Sequence, residues 1–127
     1  MDTILRINMS AADKPEIKKE TIGGFAGLGG RGLTTALIAQ EVDPMCHALG
    51  AENKLVIAPG LLSGSAAAMS GRISIGCKSP LTGGIKEANS GGQAAQVLAR
   101  LGYAAIVLEG KPADGGLYKV YISKDEV

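Results

Sequence analysis

The order of the predicted strands and helices restricts the fold more than any other feature of this sequence. Period-two alternation and continuous apolar runs predict six strands, at 3–9, 16–22, 54–60, 72–79, 104–110 and 117–123. Apolar residues at helical spacing predict two helices, at 28–41 and 93–102. The strands therefore come in pairs separated by a helix, without the one-to-one alternation that a doubly wound parallel sheet needs. We predict an α+β fold with mostly antiparallel strand pairs and two helices.

The segments between these elements carry turn signals. "SAADKP" at 10–15 joins the first two strands into an antiparallel hairpin, and "KPADGG" at 111–116 precedes the last strand. "PLTGGIKEANSGG" at 80–92 reads as a long glycine-rich connection. Asp43-Pro44 ends the first helix and Gly102 ends the second.

Composition limits the class of protein. The 127 residues suffice for a single domain, which we assign to 1–127. Thirteen basic and twelve acidic residues give a formal charge of +1, so there is no electrostatic case for a nucleic acid or an anionic membrane as partner. No apolar run approaches the ~18 residues of a membrane span, and the N-terminus has no signal-peptide core. Cys46, Cys77 and His47 are too few for a zinc site and indicate reduced thiols in a cytoplasmic protein.

"GLGGRG" at 27–32 matches the G-x-G-x-x-G pattern of dinucleotide-binding loops, but its surroundings do not. The preceding segment is charged rather than a buried strand, and Glu52, twenty residues past Gly32, lies in a loop before a strand. These glycines are better explained by close packing of the first helix, and the role of Arg31 stays open.

A second glycine-rich stretch carries more chemistry. Ser90 can cap the second helix, while Gly91 and Gly92 leave backbone N–H groups open for a phosphate. Asn89 offers a side-chain amide and a carbonyl, and the planar guanidinium of Arg72 can donate two parallel hydrogen bonds to a phosphate or carboxylate. The residues favour a phosphate-bearing ligand and an ordinary capped helix with a surface arginine about equally.

Four segments resemble a known family. "GLGGRGLTTALIAQEVDP", "ENKLVIAPGLLSGS", "SGRISIGCKSPLTGGIKEANSGG" and "LGYAAIVLEGK" are similar, in order and spacing, to the N-terminal domain of the tungsten-containing aldehyde ferredoxin oxidoreductases. The resemblance extends from "ILRINMS" to "LYKVYIS". It implies an α+β fold that forms about half of a duplicated N-terminal domain.

The resemblance also implies a role. In that family the domain is the base for a bis-molybdopterin cofactor of tungsten (or molybdenum), whose phosphates are bridged by magnesium, beside a [4Fe-4S] cluster. The complete enzyme oxidises an aldehyde to a carboxylate and passes the electrons to ferredoxin. By motif position, Arg72 corresponds to the arginine between pterin and cluster. Asn89 corresponds to the residue whose carbonyl helps hold the magnesium, and Gly91 and Gly92 lie against the cofactor together with Ser90.

This chain departs from the family in several places. Leu61 and Ser63 stand in "GLLSG" where the family usually has "GPLTG", and Gln93 and Ala94 follow "NSGG" where the family places aromatics. The cluster cysteines, in a C-x-x-C-x-x-x-C arrangement, lie in later domains of the family. We therefore expect an incomplete unit, inactive alone, that works with the remaining domains or a partner subunit. The alternative is a binding or structural module without redox activity that self-associates as a homodimer.

Other polar residues have simpler explanations. Lys78 and Lys86, beside the glycine-rich connection, are expected in solvent, and Glu109 is expected to pair with Lys111. Glu87 is as well explained as a surface charge as it is as a ligand. His47 lacks a visible catalytic partner, and Cys77 is expected to pack in the interior.

Overall fold

One mixed sheet organises the chain in a computed structural model that describes residues 1–11 and 14–127. The sheet order is β2-β1-β6-β3-β4-β5, and among the strands of these described residues only β1 and β6 pair in parallel. The α+β prediction, with mostly antiparallel strands and two helices, is confirmed. In chain order the elements are β1 (Thr3–Asn8), β2 (Glu16–Thr21), a 3₁₀ turn (Gly23–Phe25), α1 (Gly30–Glu41), β3 (Lys54–Pro59), β4 (Arg72–Lys78), β5 (Ile85–Gly91), α2 (Ala94–Arg100) and β6 (Tyr103–Glu109).

Each helix covers one face of the sheet. Alternation along β1 sends Ile4 to the face under α1, and Leu5 and Ile7 to the face under α2. Leu33 and Leu37 of α1 are fully buried, and each such leucine contributes roughly 1.5–3 kcal/mol. These leucines place α1 firmly over the central strands, and its first turn lies beside β4 and β5.

The predicted β1–β2 hairpin is confirmed, with Ile4 opposite Glu20 and Ile7 opposite Ile17. The turn expected at 10–15 includes residues 12 and 13, which lie outside the described part of the chain. Gly102, with φ +89°, donates its N–H to the Ala99 carbonyl and ends α2 as predicted.

Two predictions about strands are wrong. The connection 80–92 contains β5, whose seven residues pair with β4 from Arg72↔Gly91 to Lys78↔Ile85. Segment 117–123 forms no strand in the structure, although its valine, isoleucine and tyrosines favour one. A sequence preference for β structure yields a strand only where a neighbouring strand offers its edge, and 117–123 pairs with none of the described strands.

Five charged side chains join the end of α1 to four strands. This charge cluster comprises Arg6, Glu20, Glu41, Lys54 and Glu109. Arg6 Nη2 lies 2.6 Å from Glu41 Oε1, and Lys54 Nζ lies 2.8 Å from Glu41 and 2.9 Å from Glu109. The prediction that Glu109 pairs with Lys111 is therefore wrong. The acidic end of β6 meets cations from neighbouring strands, because alternation points Arg6, Lys54 and Glu109 to the same face.

Candidate functional site

The start of α1 packs on the loop after β3 through glycine. A Cβ on Gly29 would lie 2.5 Å from the Leu61 backbone nitrogen, and one on Gly30 would lie 3.6 Å from Gly60 Cα. No side chain fits at position 29 without moving the backbone of residue 61. This contact confirms the packing explanation at Gly29, whereas Gly27, with φ +84° and nothing described within 4 Å of a Cβ, needs glycine for its backbone conformation. Arg31 lies in the first turn of α1, which faces β4 and β5.

Strand register collects several polar residues on the sheet face under α1. A Cβ on Gly76 would lie 2.9 Å from Thr34 of α1, so this position of β4 faces the helix. The same face carries every second residue of β4 and its partner positions on β5. The register pairs Arg72 with Gly91, Ser74 with Asn89, and Gly76 with Glu87.

Arg72 and Asn89 lie on adjacent strands and are joined by a hydrogen bond. Arg72 Nε donates to Asn89 Oδ1, and we call these residues the Arg72–Asn89 pair. Arg72 is exposed, and its Nη groups make no hydrogen bond to any part of the chain that the structure describes. A Cβ on Gly91 would lie 3.6 Å from Arg72 Nη1. Glycine at position 91 therefore keeps the guanidinium uncovered.

Glu87 connects this pair to α1. Its carboxylate accepts hydrogen bonds from Ser74 Oγ, from Arg31 Nε at 3.1 Å and from Asn89 Nδ2 at 3.5 Å. The Glu87 side chain is only 12% exposed, whereas Arg31 is 74% exposed. The hydrogen bond from Ser74, assisted by the charge of Arg31, lowers the pKa of Glu87 below its usual range. Glu87 is thus an ionised bridge, and the group formed by Glu87 and the two arginines keeps a net positive charge.

The outer edge of β5 presents backbone groups. Gly92 N–H donates to Gly71 O, and Ser79 N–H donates to Gly84 O, at the two ends of the β4–β5 ladder. Bonded pairs alternate along an antiparallel ladder. The N–H and C=O groups of Asn89 and Gly91 therefore point away from β4, toward the free edge.

The predicted capping geometry at the start of α2 is wrong. Ser90 lies within β5, and the residue that precedes α2 is Gln93, which makes no side-chain capping bond. Ser90 occupies the alternate face from Asn89 and donates to Gly91 O. The Gly92 N–H is not open, since it bonds to Gly71. Of the five expected site residues, the structure brings together Arg72, Asn89 and Gly91.

Lys78 does not lie in solvent as expected. It is 8% exposed, and its Nζ donates to Pro44 O and, at 2.6 Å, to Cys46 O. Lys78 therefore supports the loop after α1. Cys46 and Cys77 are free thiols, and Cys77 is half-buried. Within residues 1–11 and 14–127, no three His, Cys, Asp or Glu side chains gather as a metal site.

Residues 4–127 match the family described as aldehyde ferredoxin oxidoreductase, N-terminal domain. The chain belongs to this family. The tungsten-containing aldehyde ferredoxin oxidoreductase of Thermococcus kodakarensis is 43% identical over 126 residues, which is 97% of this chain and 20% of that protein. The enzyme of the same name from Pyrococcus furiosus is 46% identical over 123 residues, 96% of this chain and 20% of that protein. The chain thus spans about a fifth of the length of these relatives.

A solved structure extends the family likeness to the fold. It is described as the active-site complex BamBC of benzoyl coenzyme A reductase in complex with 1,5-dienoyl-CoA. The TM-score is 0.79 at 27% identity, with 88% of this chain and 17% of the other chain aligned. The part of the chain that the structure describes contains no helix with the length and apolar character needed to span a membrane.

The contact between Arg31 and Glu87 was not predicted from the sequence. They are 56 positions apart, and neither lies in a local motif that predicts the other. The usable signal was the period-two spacing of Ile85, Glu87, Asn89 and Gly91, which places Glu87 on the face of Asn89 once β5 is known to be a strand.

Proposed function

We propose that this chain is the cofactor-binding base of a tungsten-dependent aldehyde oxidoreductase. The single observation that carries the proposal is the Arg72–Asn89 pair beside Gly91, which lies within the residues that match this family. Arginine presents planar N–H donors suited to phosphate and other anions, and its uncovered Nη groups supply them here. We assign the remaining catalytic steps to other domains or to a partner subunit, and the chain alone is expected to be inactive.

The residues present would fit an anionic pterin cofactor and an associated magnesium ion. A Cβ at 91 would contact Arg72 Nη1 at 3.6 Å, so glycine leaves that side of the guanidinium open for a ligand. The Asn89 side-chain oxygen is used by Arg72, whereas its backbone carbonyl lies at the free edge of β5 and is available to Mg²⁺, which prefers oxygen ligands. Gly92, with φ +134° and nothing within 4 Å of a Cβ, keeps the turn after β5 open.

When bound, the tungsten centre would supply two-electron redox chemistry for oxidising an aldehyde to a carboxylate. The complete enzyme would pass these electrons through a [4Fe-4S] cluster, held by other domains or a partner, to ferredoxin. The residues of this chain would bind and orient the cofactor. Two free thiols, Cys46 and Cys77, accord with a cytoplasmic enzyme.

The test uses the enzyme isolated with its natural partner chains or domains. Arg72→Ala removes the free guanidinium, and loss of charge-assisted hydrogen bonds of about 1.5–3 kcal/mol predicts roughly 10- to 150-fold weaker cofactor retention. Cofactor retention is measured as tungsten content by mass spectrometry and pterin content by fluorescence. The rate of electron transfer to ferredoxin is measured on the same samples. Arg100→Ala, an exposed arginine on α2, is the matched control.

Unchanged tungsten, pterin and electron transfer in Arg72→Ala would remove Arg72 from the cofactor site. Absence of tungsten and pterin from the wild-type complex would instead support the binding module without redox activity. Light scattering on that module would then show a dimer if self-association replaces the missing partner.

A further inference from the structure

Two arginines from different elements are held in the same way on one face of the sheet. Arg31, in the first turn of α1, uses Nε to bond Glu87, and Arg72, at the start of β4, uses Nε to bond Asn89. Both side chains are exposed, and neither pair of Nη groups donates a hydrogen bond to the part of the chain that the structure describes. An arginine anchored through Nε keeps two parallel Nη–H donors for a second partner.

The anchors of the two arginines also touch each other. Glu87 Oε1 accepts from Asn89 Nδ2 at 3.5 Å, while Glu87 Oε2 accepts from Arg31. One carboxylate and one carboxamide therefore separate the two guanidinium groups. Ser74 Oγ donates to Glu87 from the adjacent strand β4 and holds the carboxylate against the sheet.

We propose that Arg31 and Arg72 form a two-guanidinium clamp for a ligand with two linked anionic groups, such as a diphosphate, with Glu87 and Asn89 as its spacer. The inference rests on the proposed function and adds Arg31 as a second binding residue. Two cations against one carboxylate leave Arg31, Arg72 and Glu87 with a combined charge of about +1 before a ligand binds. Glu87 is a positioning residue, because it acts through Arg31 and Asn89.

Substitution of Glu87 tests the proposal through the direction in which the anion affinity changes. If Glu87 were only a nearby negative charge, its removal would strengthen anion binding, since Coulomb repulsion would be lost. If Glu87 holds both arginines in register, its removal weakens binding despite the gain in positive charge.

The probe is inorganic pyrophosphate, compared with orthophosphate, titrated into the protein and followed by calorimetry and by NMR of the arginine Nε–H signals. Arg31→Ala should weaken pyrophosphate binding about 10-fold or more and orthophosphate binding by less than about 3-fold. Glu87→Ala should weaken pyrophosphate binding by about 2- to 10-fold and shift the Nε–H signals of Arg31 and Arg72. Arg100→Ala and Glu52→Gln, at exposed positions, are the matched controls and should change neither.

Each result has a separate meaning. If Arg72→Ala weakens pyrophosphate binding and Arg31→Ala does not, the clamp is wrong while the proposed function stands. Equal losses for both anions in Arg31→Ala, or tighter binding in Glu87→Ala, also overturn the clamp. If Arg72→Ala leaves pyrophosphate binding unchanged, the clamp is also overturned, and the tungsten and pterin content of the Arg72→Ala complex then decides the proposed function separately. Backbone amide spectra and urea midpoints that match the wild type show that each variant is folded.

Discussion

Replacement of Arg6 tests whether the charge cluster stabilises the fold. Arg6 donates to Glu41 at 2.6 and 2.8 Å and to Glu20 at 2.7 Å, and its side chain is 15% exposed. Arg6→Met keeps the length of the stem and leaves three carboxylates facing Lys54 alone. Removing one partner of a fully buried ion pair costs about 3–5 kcal/mol, so this partly exposed site should lose about 2–3 kcal/mol.

The matched variant is Glu41→Gln. It leaves two cations, Arg6 and Lys54, facing two carboxylates, Glu20 and Glu109, so the remaining charges balance. The glutamine oxygen can still accept one hydrogen bond. We expect a cost of about 1 kcal/mol, clearly below that of Arg6→Met.

Acid should reduce the effect of Arg6→Met. Burial is the largest influence on the pKa of Glu41 and raises it, but the hydrogen bonds and charges of Arg6 and Lys54 outweigh burial and lower the pKa overall. A carboxyl whose pKa is lower in the folded state stabilises the fold above its unfolded pKa, about 4.3. That contribution disappears as the pH falls through the lower folded pKa. The difference between wild type and Arg6→Met should therefore be smaller at pH 3 than at pH 7.

Urea unfolding followed by far-UV circular dichroism measures all three proteins at both pH values. The reasoning from charge balance is refuted if Glu41→Gln costs as much as Arg6→Met at pH 7. It is also refuted if the cost of Arg6→Met is the same at the two pH values.

Two further substitutions probe the packing around the site. Gly29→Ala should cost about 1–3 kcal/mol in urea unfolding, because its Cβ would lie 2.5 Å from the Leu61 nitrogen; Gly24→Ala, with nothing within 4 Å, should stay within about 0.5 kcal/mol. Lys78→Met keeps the buried stem but leaves two carbonyls without their donor, so we expect a loss of about 1–3 kcal/mol. We expect faster amide hydrogen exchange near Cys46 and unchanged exchange in β1. Equally faster exchange in both regions would contradict a loss of stability confined to the loop after α1.

Sequence patterns predicted most of the fold because most elements bury one face. Leu33 and Leu37 mark α1, and the apolar run of β3 marks a buried strand. β5 was missed because it is an exposed edge strand rich in lysine, glutamate, asparagine and glycine, which are poor strand formers. Its pairing with β4 supplies the geometry that its composition does not indicate.

The candidate site was only partly predictable for the same reason. The resemblance pointed to Arg72 and Asn89. Their hydrogen bond depends on the register between β4 and β5, and the sequence predicted a loop where β5 lies. The same error made Ser90 a helix cap, when strand alternation turns it to the opposite face. Arg31 reaches Glu87 only because α1 packs across β4, a tertiary contact with no local signature.

The charge cluster and the Arg72–Asn89 pair lie at opposite ends of β3. Lys54 begins this strand, while Gly60, just after it, donates its N–H to the Arg72 carbonyl at 2.9 Å. Five residue steps separate Lys54 from Pro59, roughly 17 Å at the usual strand rise. That distance exceeds the Debye length of about 8 Å at physiological salt and the range over which substitutions normally interact.

The stability costs of Arg6→Met and Arg72→Ala should therefore add to within about 0.5 kcal/mol in the double variant. Arg6→Met should leave the pyrophosphate affinity of the folded protein unchanged, because Arg72 is positioned by β4 and β5 rather than by the cluster. Urea unfolding of the two single variants and the double variant measures the interaction. A coupling above about 1 kcal/mol would show that the two ends of β3 respond as one unit. In that case the site could not be altered without changing how α1 is held on the sheet.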